Sequence, residues 1–190
     1  MEHRLKRLSR ETVCAGRALT YMHDQVRLPD GKLETWDFVH HNKGGGASVL
    51  PVLPDGRILL IRQYRPAIDR VTLEIPAGAR DPGDEDTAVT ALRELREETG
   101  YTCAKLIKMV TLDTAVAWCD ECTDIYLAEG IRRDGEQDLD EAEEIETECL
   151  RLEDLTRMIR MGEIRDAKTV AGILAYAAMK AEHRNSDMSG

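Results

Sequence analysis

Three glutamates, Glu94, Glu97 and Glu98, crowd into little more than one turn of a segment that reads as an amphipathic helix. The helix is expected from about Thr87 to Thr99. Asp86 is placed to cap its start, and Gly100 stands where a left-handed C-terminal cap wants glycine. At about 100° per residue, with Leu92 as zero, Ala88, Ala91 and Leu95 fall within roughly 100° and form the apolar stripe. Glu94, Glu97 and Glu98 fall at roughly 200°, 140° and 240°, largely on the side away from that stripe.

Like charges this close raise one another's proton affinity unless something positive sits among them. A hard divalent cation answers that need. Mg²⁺ takes oxygen ligands, keeps several waters and is commonly shared between carboxylates and substrate phosphates. The plainer alternative is a solvated helix face in which Arg93 and Glu97 make an ordinary i,i+4 pair.

The surroundings suit a mixed α/β domain. Residues 12–28 are rich in β-formers, Pro29-Asp30-Gly31 makes a turn, and a strand resumes from Leu33 to His40. After Lys43-Gly44-Gly45-Gly46, the runs Ser48 to Leu53 and Arg57 to Tyr64 flank Pro54-Asp55-Gly56 and read as a β-hairpin. Further strands are expected over Val71 to Ile75, 105–113, 123–128 and Ile145 to Leu150. Two helices close the chain near 152–161 and 167–181, the second capped by Asp166. Residues 1–43 read as an N-terminal β extension, 44–181 as the main domain and 182–190 as a frayed tail.

Charge and cysteine usage narrow the function. A net charge of −10 argues against non-specific nucleic-acid binding, so a polyanionic ligand needs a local cation or well-placed arginines. No apolar run approaches the ~20 residues that span a bilayer, and MEHRLKRLSRE lacks the apolar stretch of a secretory signal. The expectation is a cytoplasmic protein without membrane partners. Five scattered cysteines fit a reducing compartment. Cys119 and Cys122 form a lone CxxC pair, with neither a second pair nor a histidine ligand set nearby in sequence to argue for zinc.

From Gly78 to Tyr101 the chain reads GARDPGDEDTAVTALRELREETGY, which closely resembles the Nudix box, a glycine and a glutamate preceding R-E-U-x-E-E-x-G-U with U apolar. Arg93, Glu94, Leu95, Glu97, Glu98 and Gly100 match, and Tyr101 fills the last apolar slot. Six residues rather than five separate Gly78 from Glu85, so the loop is one longer; with Asp84 as the acid, the extra residue moves downstream. The resemblance implies a Nudix α/β/α sandwich with a mixed β-sheet, here carrying an N-terminal β-hairpin extension. It also implies hydrolysis of a nucleoside diphosphate linked to another moiety, with Mg²⁺ or Mn²⁺. Glu94, Glu97 and Glu98 would ligate the metal, while Gly78, Glu85, Arg93 and Gly100 would be structural.

Roughly residues 30–180 are similar to one branch, the ADP-ribose and nucleotide-sugar pyrophosphatases. Arg62-Gln63-Tyr64-Arg65-Pro66 and Leu73-Glu74-Ile75-Pro76-Ala77-Gly78 look like its segments before the box. The likeness adds the Ala77 carbonyl to the metal shell and Arg62, Arg65 and Glu74 to the substrate contacts. Arg65 suits a phosphate by guanidinium geometry, although a surface salt bridge would explain it too. Trp36 is similar to a tryptophan that stacks on adenine, the alternative being a core or dimer residue. Gly162 to Thr169 resembles the start of the branch's last helix and speaks of kinship. The branch further implies a homodimer in which N-terminal strands cross the two-fold axis.

A general base is expected on the acidic loop before Ile145, where alignment back from that residue favours Glu141, then Glu143. Glu121 lies where the branch often has a glutamate, but Ala115-Val116-Ala117-Trp118 replaces the usual Ser-Pro-Gly-like loop. The expected reaction converts ADP-ribose to AMP and ribose 5-phosphate. Alternatives are a GDP- or ADP-hexose, NADH or a dinucleoside polyphosphate as substrate, or a non-catalytic ADP-ribose sensor.

Overall fold

The computed structural model describes residues 4–84, 86–141 and 143–187. The chain divides into two units: residues up to Gly45 with Asp113–Cys122, and Gly46–Leu112 with the chain from Thr123 onward. None of the described helices is long and apolar enough to cross a membrane.

The first unit is an antiparallel meander of β1 (Lys6–Ala15), β2 (Leu19–Arg27) and β3 (Leu33–His41), in that spatial order. The Gly16 N–H donates to the Leu19 carbonyl at 2.8 Å, a tight turn that splits the first β-rich stretch in two. The extension is therefore a three-stranded sheet rather than a hairpin. Arg10 grips the buried Asp24 through two 2.6 Å bonds and lies over the Phe38 ring at 3.7 Å, tying β1 to β2 and β3.

The second unit follows the order β4 (Gly46–Pro51), β5 (Ile58–Arg65), β6 (Arg70–Glu74), β7 (Ala77–Ala79), α1 (Thr87–Thr99), β8 (Tyr101–Thr102), β9 (Lys105–Asp113), β10 (Cys122–Glu129), β11 (Arg132–Arg133), β12 (Ile145–Leu150), α2 (Leu152–Arg160) and α3 (Ala167–Asp187). One sheet runs β7-β4-β10-β9 with β4 and β10 parallel, a second runs β12-β5-β6, and β11 pairs with β8. Helix α3 continues past the expected end near residue 181.

The expected hairpin of β4 and β5 is corrected. The turn is present, with Leu53 N–H bonded to the Arg57 carbonyl at 2.8 Å. Beyond a single bridge, Val52 to Ile58, the strands part into different sheets. The physical reason is that β4 has both edges occupied, by β7 and β10, leaving none for β5.

Period-2 alternation explains why these strands read as unbroken apolar runs. Val49, Leu59, Tyr126 and Ala128 point into a core shared with Ala91 and Leu95 of α1. Their chain neighbours Leu50, Ile58, Leu60, Ile125 and Leu127 point the other way, into a core shared with Leu155 of α2 and Ile173 of α3. Helices thus cover both faces, the α/β/α layering the resemblance implied.

Helix α1 starts where expected, with the Asp86 carboxylate accepting from Ala88 N at 2.7 Å and Val89 N at 3.2 Å. It ends at Gly100, whose φ is 73°. Its buried face differs from the one expected. Leu92 is 41% exposed, whereas Thr90, Ala91, Glu94, Leu95, Glu98 and Thr99 are buried. The helix is rotated so that two glutamates flank the Ala91–Leu95 core contact instead of facing away from it. Leu95→Ala should therefore cost about 2–5 kcal/mol by leaving a cavity, while Leu92→Ala should cost well under ~1 kcal/mol. Urea unfolding of the two variants checks this assignment; equal losses would place Leu92 in the core.

Candidate active site

Glu94 and Glu98 lie one turn apart on the buried flank of α1 and face the approach to the helix from β6 and β7. Glu98 is 2% exposed and accepts the Ala77 N–H at 2.9 Å. Glu94 occupies space that a side chain at residue 78 would need, because a Cβ on Gly78 would collide with its carboxylate. Gly78 thus leaves room for the Glu94 carboxylate where it lies, and its own backbone dihedrals do not call for glycine. Burial, reinforced by Glu94, pushes Glu98 up to about 8 despite the Ala77 hydrogen bond and Arg65. Burial likewise raises Glu94 to about 7, against the pull of Arg93.

Arg93 braces the helix start of the site. Its Nη1 donates to Glu94 at 2.7 Å and Glu97 at 2.8 Å, and its Nη2 to the Ala79 carbonyl at 3.0 Å. The loop it reaches is organised by Asp84, which accepts from Asp81 N at 2.9 Å and Thr90 Oγ1 at 2.7 Å. Glu85 lies outside the described residues. Glu97 is less buried than its two neighbours and spends one oxygen on Arg93.

Behind the carboxylate pair, Arg65 closes on Glu74 through a two-pronged contact, Nε–Oε1 2.8 Å and Nη2–Oε2 2.7 Å. Lys168 also bonds Glu74, and Thr72 donates to it at 2.5 Å. Glu74, expected among the substrate contacts, is a buried anchor at 2% exposed and orients Arg65 and Lys168. Burial would raise its pKa, but Arg65 and Lys168 override that and hold it at about 2. Arg62, three positions from Arg65 on a regular strand, emerges on the opposite face and pairs with Glu148 on β12 at 2.6 Å.

The acidic loop is pinned to the C-terminal end of α1. Gln137 Nε2 donates to the Glu98 carbonyl at 2.6 Å, Asp138 N to the Glu97 carbonyl at 2.8 Å, and Asp134 N to the Gly100 carbonyl at 2.8 Å. Of the two base candidates, Glu143 exerts its charge on both Glu94 and Glu98, and its backbone and carboxylate close a tight turn with Asp140. Glu141 is exposed.

Two candidates belong to the first unit. Trp36 on β3 is 43% exposed and donates its indole N–H to Glu34 at 3.2 Å. Glu121 accepts from Thr114 Oγ1 at 2.7 Å and lies 3.7 Å from His41. Cys119 and Cys122 are free thiols; Cys119 accepts the Glu121 N–H at 3.4 Å.

Sequence reasoning missed Lys168 and Gln137 as site-building residues. Lys168 stood inside a segment noticed only for kinship. Gln137 carried no signal, because its work is to bond two carbonyls that the chain brings together only when folded.

Residues 42–172 match the NUDIX domain, and the chain belongs to the Nudix family. It is a Nudix hydrolase similar to an ADP-ribose pyrophosphatase of Bacillus subtilis (strain 168), with 36% identity covering 88% of this chain and 90% of that one. It is also similar to a methanol dehydrogenase activator of Bacillus methanolicus, at 33% identity over 88% and 90%. The fold matches the crystal structure of an ADP compounds hydrolase with a TM-score of 0.82 and 20% identity, covering 95% and 96% of the two chains. Members of the family generally use divalent metal ions.

The Glu74 network makes a prediction about acid stability. A carboxylate lowered from about 4.5 to about 2 contributes stability that is present above pH 4.5 and lost as pH falls toward 2. The contribution is on the order of 3 kcal/mol. Glu74→Gln should be less stable than wild type at pH 7 and show a flatter loss between pH 4.5 and 2, read by denaturant midpoints across pH.

Proposed function

We propose that the chain hydrolyses the diphosphate bond of ADP-ribose or a related nucleoside diphosphate sugar, releasing AMP and a sugar phosphate. The observation that carries this reading is the buried Glu94–Glu98 pair set against the Ala77 backbone and beside Arg65. Neither carboxylate ionises comfortably where it lies, and a hard cation between them would remove the penalty. Among the described residues no three His, Cys, Asp or Glu side chains form a ready-made ion cage. That fits Mg²⁺ better than a structural metal, since Mg²⁺ is held by one or two carboxylates while waters and substrate phosphates complete its shell. Glu94 and Glu98 would hold it, with the Ala77 carbonyl and Glu97 adjoining. When bound, the ion would supply charge neutralisation of the diphosphate and a more acidic attacking water.

The chain's own residues supply the rest. Arg65, fixed by Glu74, presents its remaining guanidinium edge to a phosphate oxygen without having to be ordered on binding. Glu143 is the favoured proton acceptor for the attacking water, because its carboxylate shares the electrostatic neighbourhood of Glu94 and Glu98. Trp36 offers an exposed indole for the purine. Leu8, Val13, Leu19, Tyr21 and Leu33 on the first unit expose large apolar side chains, which supports a homodimer.

Glu98→Gln should lower kcat by at least about 10²-fold while far-UV circular dichroism stays unchanged. Glu143→Gln should cost roughly 10²–10⁴-fold and Glu141→Gln little. A Glu98→Gln enzyme at near-wild-type rate would remove the metal-shell assignment. A panel of ADP-ribose, ADP- and GDP-hexoses, NADH and dinucleoside polyphosphates, assayed with Mg²⁺ or Mn²⁺ and with chelator, decides the substrate.

Proton linkage gives a second test. At pH 7 Glu98 is largely protonated and Glu94 about half so, from values of about 8 and about 7. Raised carboxylate pKa values favour the folded state below pH 4.5, and that advantage is lost as pH rises through 7 and 8. Added Mg²⁺ should therefore release protons at pH 7, bind more weakly at pH 6 than at pH 9, and stabilise the protein most at high pH. Calorimetry in two buffers of different ionisation enthalpy measures the release; pH-independent binding would contradict it.

A further inference from the structure

On the outer side of Arg65 the second unit carries a cleft of about 470 Å³, a size typical of small-molecule sites. Its lining includes Arg65, Arg70, Thr72, Glu74, Arg165 and Lys168. The two acids on its wall are already spent. Glu74 is held by Arg65, Lys168 and Thr72, while Asp166 is held by Lys168 at 2.9 Å and caps Thr169 through N and Oγ1 at 3.0 and 2.6 Å. Glu163, on a smaller adjoining hollow, lies 3.9 Å from Arg157. Arg70 and Arg165 are exposed, and the described residues offer neither a carboxylate partner.

The strand register sharpens the point. Arg65 and Arg70 are direct partners across β5 and β6, so their side chains leave the same face. Like charges opposite one another destabilise an antiparallel pair, and here a third arginine, Arg165, joins them on one concave wall. Glu74 neutralises Arg65 only. In a chain of net charge −10, an uncompensated group of guanidinium ions in a cleft selects for an anion, and guanidinium geometry favours phosphate oxygens.

We propose that Arg70 and Arg165, with the outer edge of Arg65, form a phosphomonoester subsite beside the diphosphate site. The inference rests on the hydrolase reading for what sits next to it, because Arg65 is shared by both. The ligand chemistry is a phosphate dianion on a sugar. It could arrive as a phosphate on the distal moiety of the substrate or remain as the freed sugar phosphate.

The test uses the full chain, an Arg70→Ala/Arg165→Ala double variant and an Arg70→Lys/Arg165→Lys control that keeps the charge. Inorganic phosphate titrated into metal-free protein should bind at millimolar concentration, at least tenfold more weakly in the alanine variant and with partial recovery in the lysine variant. If the source is the substrate, the ratio of kcat/KM for ADP-ribose 1″-phosphate over ADP-ribose should fall at least tenfold in the alanine variant. If it is the product, inhibition by ribose 5-phosphate should weaken tenfold instead. Phosphate binding unchanged by the alanine variant overturns the subsite. Should no substrate be cleaved by wild type, the hydrolase reading fails while the phosphate titration still decides the subsite.

Discussion

Two carboxylates buried a turn apart on one helix, Glu94 and Glu98, are the constraint around which the second unit is arranged. Left alone they repel each other in a poorly solvated place, and burial is the larger part of what lifts their proton affinity. The surroundings contain the problem from three sides. Arg93 takes one oxygen of Glu94 and ties it to the β7–α1 loop. The Ala77 N–H takes one oxygen of Glu98. Gly78 withholds a side chain and so leaves the Glu94 carboxylate its place. None of these contacts neutralises both charges, so the arrangement is complete as protein packing yet still deficient in positive charge.

Apolar residues of similar volume would be no less stable in such a place, so packing does not account for the pair. The helix buries glutamates where Leu92, an apolar residue in the same turn, is left 41% exposed. Packing alone would favour the opposite rotation. The sheet beneath leaves only a narrow apolar strip for Ala91 and Leu95 against Val49, Leu59 and Tyr126. The flank beside it carries polar backbone at Ala77, which a leucine could not satisfy.

This is also the measure of what was legible beforehand. The capping residues Asp86 and Gly100, the extents of β9 and β12 and the cap of α3 by Asp166 all depend on local chemistry, and local chemistry is written in the order of residues. The rotation of α1 was not legible, because the helical wheel ranks residues by hydrophobicity and cannot know that a backbone amide waits on one flank. The parting of β4 from β5 was not legible either. A turn sequence says that the chain reverses, whereas which strand claims the next edge is decided by β10, some seventy residues later. Among the candidate residues, Arg65 and the helix glutamates were named through their motifs, and the fold places Glu94 and Glu98 together on the buried flank of α1. The burial of Glu74 between Arg65 and Lys168 was not legible, since burial is a tertiary property. Arg62 and Arg65 were named together through the likeness of their segment, whereas strand alternation places them on opposite faces of β5.

Glu74 links these elements more than any other side chain. It sits at the end of β6, holds Arg65 from β5, and receives Lys168 from the first turn of α3. The adjacent Thr169 accepts the Ile75 N–H at 2.9 Å, so the same helix start is nailed to the chain one residue beyond Glu74. A buried acid with two cations on it is fixed in place by whichever cation is more rigid, and α3 supplies that rigidity through Asp166 and Thr169. Arg65 is consequently held from behind, with Nε and Nη2 committed to Glu74, and it lines the cationic cleft. Its charge is felt by Glu98 on one side and opposes Arg70 across the sheet on the other. One guanidinium, kept from collapsing onto the carboxylates by Glu74, separates a place that wants a cation from a place that wants an anion. A phosphorylated ligand bound with its metal would bring both at once.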